Sequence, residues 1–364
     1  LFDKKTGMPV HNAIVWQCTR GQKYCDEIIN NSSISNQITQ KTGLKANSFF
    51  SASKLQWVLN NKPEIKKGFD NGSILFGTID TYLLYRLSNF QNYITDTTNA
   101  SRTLLFNCIE NEWDEELLSI FGMTKSIPLP IVKSSSDHFG DSDFDKCFLK
   151  KIPVIGVVGD AQGSFFGNFC FSEGDTKITT GTGFNIQTNI GKKFITDENS
   201  FTSLAYTKSN ENYYSLECLS SFAGATISWL KNNLKLIKNP DESELLSNQV
   251  VGSEGVYLIP AFTGLGPPYW IANARASFLG INASTNKNHL VRAGLESVAF
   301  QMIVYLEFLQ KSNHINLQKI SIDGGMVKNN LFLQMIADLL QIEVKVPLME
   351  EMSSYGSLLF GIQY

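Results

Sequence analysis

The chain has 364 residues, 43% hydrophobic and 18% charged, a globular balance long enough for two domains. A formal net charge of −3 without any basic block argues against a nucleic-acid surface, and no apolar run reaches the roughly eighteen residues of a membrane span. Six dispersed cysteines without Cys-x-x-Cys spacing fit reduced thiols in a cytoplasm, and the four histidines form no metal-ligand pattern.

The chain opens on Leu1-Phe2-Asp3-Lys4-Lys5-Thr6-Gly7, which reads as the tail of a strand entering a hairpin. It stops at Tyr364 inside a helical pattern over residues 353–362, so a fragment is expected. Residues 12–16 (Asn12-Ala13-Ile14-Val15-Trp16) read as a strand, residues 51–59 as a helix closed by Pro63, and residues 78–87 as another helix. The polar stretch 134–145 predicts a surface loop before a second domain, giving domains 1–150 and 151–364. Strands are expected over 152–158, 175–180, 184–189, 203–208 and 213–219, with Ser209-Asn210-Glu211-Asn212 as a turn. A helix at about 221–235 follows. A longer one at about 288–310 repeats Val291, Leu295, Val298, Met302, Leu306 and Leu309 at spacings of three and four. A strand (318–322), a helix (330–340), a strand (342–346) and a final helix complete an α/β pattern of mixed sheet and helical layers.

Asp160 stands at the end of the apolar run Ile152-Pro153-Val154-Ile155-Gly156-Val157-Val158, and open α/β sheets place ligands at the carboxyl ends of strands. Some twenty residues later Thr179-Thr180-Gly181-Thr182-Gly183 can offer backbone N–H groups and a hydroxyl to an anion. A base facing a phosphate cradle outlines a phosphotransferase. The plainer readings are an N-cap for Asp160, opening a helix near 163–170, and a hairpin turn for the glycines. Two more glycine sites follow: Ser220-Ser221-Phe222-Ala223-Gly224-Ala225, which opens a helix, and Asp323-Gly324-Gly325, followed by Asn329. Close helix packing is the plainer account of Gly224, and N-capping that of Asn329. Gly264-Leu265-Gly266-Pro267-Pro268-Tyr269-Trp270 reads as a rigid turn with an aromatic anchor.

Together these segments, with Asn12 to Cys18, Phe76-Gly77-Thr78-Ile79-Asp80-Thr81, residues 95–103 through Asn99 and Arg102, Pro260 to Gly266, and His289 to Glu296, resemble the FGGY carbohydrate-kinase family, and within it the branch acting on glycerol. The resemblance implies two ribonuclease-H-like domains of the actin/hexokinase kind flanking a cleft, the first incomplete here. It implies ATP, with Mg²⁺, as donor and a small-molecule polyol as partner, and it leaves homo-oligomerisation open. By the same resemblance Asp160 is the catalytic base, and Gly181 and Thr182 lie at the terminal phosphates. Gly224, Ser228, Gly325 and Asn329 surround the nucleotide, and Trp16 walls the polyol pocket, where a core tryptophan is the plainer reading.

This sequence also departs from the family pattern. The Asp-x-Gly-Thr phosphate loop and an Arg-Glu pair lie outside it, and Ser228 replaces a common glutamine. Phe49 replaces a substrate-binding tyrosine, Ala161 a glutamine, and Phe184-Asn185 a small residue followed by phenylalanine. Weaker glycerol binding is therefore expected, with Asn185 supplying an amide to the emptied pocket. The alternatives are an FGGY kinase for another small polyol or sugar, and a catalytically silent homologue.

Overall fold

Six strands of the second half build one sheet, in the order Phe201–Lys208, Glu211–Ser220, Phe184–Asn189, Thr176–Thr180, Ile320–Gly324, Val344–Lys345. The molecule is represented by a computed structural model that describes every residue except 125, 209, 210, 267, 270 and 272. The first four strands pair antiparallel, and the last two join parallel to Thr176–Thr180 and to each other.

Alternation along the strands sorts the side chains by face. Ile178, Ile186, Leu216, Ile320 and Ile322 pack with the long helix Lys287–Ser312, whose predicted stripe from Val291 to Leu309 is wholly buried. The register places Lys177, Thr179, Asn185, Gln187, Glu217 and Asp323 on the opposite, polar face. The helix Asp160–Gly167 lies over that face, with Ser164 Oγ donating to Asp323 Oδ2 at 2.9 Å. The last helix, Met352–Gln363, packs on Asp160–Gly167 at bare backbone. A Cβ on Gly163 would meet the Ser353 carbonyl oxygen at 2.8 Å, and one on Gly356 would meet the Gly163 oxygen at 1.8 Å. Phe166 and Phe360 stack beside this crossing, ring centroids 4.0 Å apart.

In the first half the helices Gln22–Ile29, Ser32–Thr42, Ser51–Asn61 and Pro63–Asp70 surround a core that includes Cys25, Ile38, Phe50, Leu55 and Phe69. The opening hairpin is present: Phe2–Asp3 pairs with Ile74–Leu75 and bridges back to Pro9. All six cysteines are free, and among the described residues no helix is long and apolar enough to cross a membrane.

Several expectations need correction. Residues 12–16 form no strand: Val15 and Trp16 are exposed, and no ladder among the described residues runs beside them. The run 152–158 is a strand only at Ile152–Pro153, against Asp141–Ser142 inside the expected loop. Beyond it only scattered bonds remain, such as Val157 N–H to the Ser135 oxygen at 3.0 Å, and Gly156 is pressed against the last helix. Pro63 opens the next helix instead of closing the previous one, since a missing N–H costs nothing in a first turn. The helix expected from Gly163 starts three residues earlier, at Asp160. Ser209 and Asn210 of the expected turn, and Pro267 and Trp270 of the aromatic anchor, lie outside the described residues.

Gly356→Ala should destabilise the fold by about 1–3 kcal/mol, the cost of overpacking a closed contact. Gly361→Ala, whose added Cβ would stand 3.5 Å from the Ile155 side chain, should be neutral or slightly stabilising in thermal unfolding.

Candidate functional site

Three turns converge at one end of the sheet, and the first of them is a hairpin between antiparallel strands, as the plainer reading of its glycines has it. Thr180 is followed by Gly181-Thr182-Gly183, Ser220 leads to the helix Gly224–Asn232, and Ile320–Gly324 runs into the short turn Gly325–Lys328. Gly224 and Ala225 donate N–H groups to the carbonyl oxygens of Gly181 (3.0 Å) and Thr182 (2.9 Å). A Cβ on Gly224 would lie 2.6 Å from the Gly181 oxygen, so the close-packing reading of that glycine is correct. Gly181 and Gly325 have no such neighbour within 3.5 Å on their Cβ side, leaving backbone open to a cavity.

That cavity, about 820 Å³, is lined by Gly181, Thr182, Gly224, Ser228, Gly325 and Asn329, the full set of nucleotide candidates. Asn329 also caps a helix, its Oδ1 accepting the Phe332 N–H at 2.9 Å, so both of its readings apply. The sequence reasoning missed Trp229, Glu244 and Lys328 on the same walls, which carry no local motif. An open backbone cradle, a hydroxyl and a roomy flat-walled cavity suit a nucleotide with its phosphates at the glycine turns.

Asp160 is exposed at the first turn of its helix, where Gly159 is the N-cap. Its Oδ1 accepts the Ala161 N–H at 2.7 Å, a bond to the next residue that leaves the carboxylate facing solvent. The turn is held from the other half of the molecule by Gly159 N–H donating to Thr98 Oγ1 at 2.8 Å. Thr98 in turn donates to the fully buried Asp96, whose carboxyl is pushed up to about 6 by burial first and by Asp80 second. The capping reading of Asp160 is therefore not borne out. Ala161 stands next to it, partly buried and without a polar group.

A second cavity, about 540 Å³, is walled by Trp16 and Phe49, together with Asn99, Arg102 and Lys54. Trp16 is 60% exposed, so the core reading fails, and its ring centroid lies 5.4 Å from that of Phe49. Lys54 is buried with its ammonium on the carbonyl oxygens of Ser48, Phe49 (2.9 Å) and Phe50, which fixes the loop presenting Phe49. Asn99 and Arg102 were part of the segment that carried the resemblance, though neither was singled out.

Asn185 is not where the sequence reading put it. Its Nδ2 donates to Glu217 Oε1 at 2.8 Å, and its Oδ1 is buried without a partner among the described residues. It does not line the second cavity. Strand alternation turns it inward on the polar face, diagonal to Glu217. Glu217 is 2% exposed and receives Arg102 Nη1 at 2.7 Å and Ser203 Oγ at 2.6 Å. Burial pushes its carboxyl up, but Arg102, Ser203 and Asn185 together outweigh that and hold it below the usual glutamate range.

One cavity lined by the glycine turns of the second half and another walled by Trp16 and Phe49 of the first fit a two-domain kinase of the actin/hexokinase type. Residues 1–167 match the FGGY family of carbohydrate kinases, N-terminal domain, and residues 176–362 the C-terminal domain of the same family. The chain is 40% identical to the glycerol kinase of Fusobacterium nucleatum over 358 residues, 98% of this chain and 72% of that protein. It is 41% identical to that of Halothermothrix orenii over 98% of this chain and 71% of the relative. The crystal structure of Plasmodium falciparum glycerol kinase with ADP superposes with a TM-score of 0.94 at 37% identity, covering 99% of this chain and 71% of that one. A Lactobacillus acidophilus xylulose kinase shares the fold, with a TM-score of 0.85 at 22% identity over 97% of this chain and 71% of its own. The chain belongs to the FGGY family of carbohydrate kinases.

Gly224→Ala should weaken ADP binding about tenfold or more, because its Cβ would push the Gly181 turn out of place. Calorimetric titration of ADP into folded wild-type and variant protein measures the loss.

Proposed function

We propose that the protein phosphorylates glycerol to glycerol 3-phosphate. One observation carries the reading: the six nucleotide candidates share one cavity while Trp16 and Phe49 share another, in a chain about 40% identical to glycerol kinases. Residues 1–150 supply the acceptor side and 151–364 the nucleotide side. Six dispersed cysteines without Cys-x-x-Cys spacing fit a cytoplasmic setting.

ATP, accompanied by Mg²⁺, supplies the phosphoryl group when bound. The backbone at Gly181 and Gly325 and the Thr182 hydroxyl hold its phosphates, while Gly224, Ser228 and Asn329 border the rest of the nucleotide. Trp16 and Phe49 hold the carbon skeleton of the acceptor. Asp160 accepts the proton of the attacking hydroxyl as the new O–P bond forms and the bond from the γ-phosphorus to the departing ADP oxygen breaks. Loose phosphoryl-transfer transition states gain more from alignment and charge neutralisation than from basicity, so holding the Asp160 turn through Thr98 matters as much as the carboxylate itself.

A second acceptor has support in Phe49 and Ala161, neither of which offers a hydrogen bond to a hydroxyl. Each lost partner costs roughly 1–3 kcal/mol, so KM for glycerol is expected about 10- to 1,000-fold above that of a fully furnished pocket. Initial rates over C3 to C5 polyols and ketoses settle the preference: a fully ordinary glycerol KM would show these departures to be neutral.

Asp160→Asn should lower turnover about 10²- to 10⁴-fold while ADP binding stays close to wild type. Near-normal turnover in this variant would remove Asp160 from the chemistry.

A further inference from the structure

The chain that leads from the glycine turn to the acceptor cavity is continuous. Asn185 follows the Gly181-Thr182-Gly183 turn by two residues and holds Oε1 of Glu217 at 2.8 Å. The other oxygen, Oε2, is held by Ser203 and by Arg102, and Arg102 Nη1 also donates to Ser203 Oγ at 2.7 Å. Both recorded bonds of the guanidinium therefore leave from Nη1. An arginine has five N–H donors, and those on Nη2 and Nε have no partner among the described residues. The guanidinium lies over the Phe50 ring at 5.2 Å, and Arg102 is among the residues that line the cavity of Trp16 and Phe49.

We propose that Asn185 is a positioning residue for the acceptor: it fixes Glu217, Glu217 with Ser203 fixes Arg102, and the remaining N–H donors of Arg102 bind acceptor hydroxyls. The inference rests on the kinase reading of the two cavities. A planar fork of donors suits adjacent hydroxyls of a polyol, and its aim depends on the carboxylate behind it. With Phe49 offering no polar side-chain group, Arg102 supplies hydroxyl recognition within the same cavity. Asn185 thus assists the acceptor site indirectly, with its amide never reaching the ligand: Oδ1 has no accessible surface and Nδ2 is committed to Glu217.

The test is a double-mutant cycle in the full-length protein, read as separate KM values for glycerol and ATP. Asn185→Ala should raise KM for glycerol roughly 5- to 30-fold, with KM for ATP moved less than about twofold. Ser203→Ala should act in the same direction and serves if Asn185→Ala fails to fold. Arg102→Ala should raise KM for glycerol further, and adding Asn185→Ala to it should change nothing more. Additive effects, or an equal rise in KM for ATP, would overturn the positioning role while leaving the kinase reading intact. A wild-type protein that phosphorylates no member of the polyol panel would overturn both.

Discussion

Backbone touching backbone at one end of the sheet is the constraint on which the rest depends. Gly183 faces the Ser220 oxygen, which an added Cβ would meet at 1.9 Å, and Gly324, at φ +94, faces the Thr180 oxygen at 2.2 Å. Together with Gly224 on Gly181 these contacts bring three turns within reach of one ligand, closer than any side chain would permit. The walls that result are N–H groups and carbonyls, so this part of the cradle is specified by space and much less by side-chain identity. A change such as glutamine to Ser228 at the rim is then a local matter.

The sheet beneath is two-faced, and the two faces do different work. Ile178, Ile186, Ile320 and Ile322 anchor it to the long helix in a dry core. The other face keeps Thr179 Oγ1, Gln187 Nε2 and Ser215 Oγ buried without partners among the described residues. Lys177 is buried beside them, its ammonium pulled below the ordinary lysine value by loss of solvent, with Asp323 and then Glu217 working against that. This buried polar layer lies beneath the Asp160 helix, to which it is tied by the Ser164–Asp323 hydrogen bond.

What was legible in the sequence was local. The helix 330–340 and the strand 184–189 matched their predicted limits because capping and alternation are written within a few residues. The glycine turns after the strands were legible for the same reason, as short patterns, whereas their grouping around one cavity came from the family resemblance. Residues 12–16 and 152–158 misled because an apolar run says nothing about whether a neighbour exists to pair with it. Glu217 escaped notice altogether. Its partners Arg102 and Asn185 lie 115 and 32 residues away, and no spacing announces such a meeting. Asn185 was expected to supply an amide to the emptied pocket, but strand register turns that amide onto Glu217.

The Arg102–Glu217 pair also bears on modularity. Two family domains meet along this chain, yet Ala100, Phe106 and Cys108 from the first half belong to the same apolar core as Ile186 and Leu216 from the second. The Cys108 oxygen takes hydrogen bonds from Asn212 and Tyr214, and the Gly43 oxygen takes the Thr202 N–H. A second half produced alone would carry the Glu217 carboxylate without its counter-ion and a core with one wall missing. Breaking such a pair from one side costs about 3–5 kcal/mol, a large share of a typical folding free energy. The two domains are units of descent, but the molecule should melt as one cooperative body, and a cut between them would leave neither half with a stability of its own.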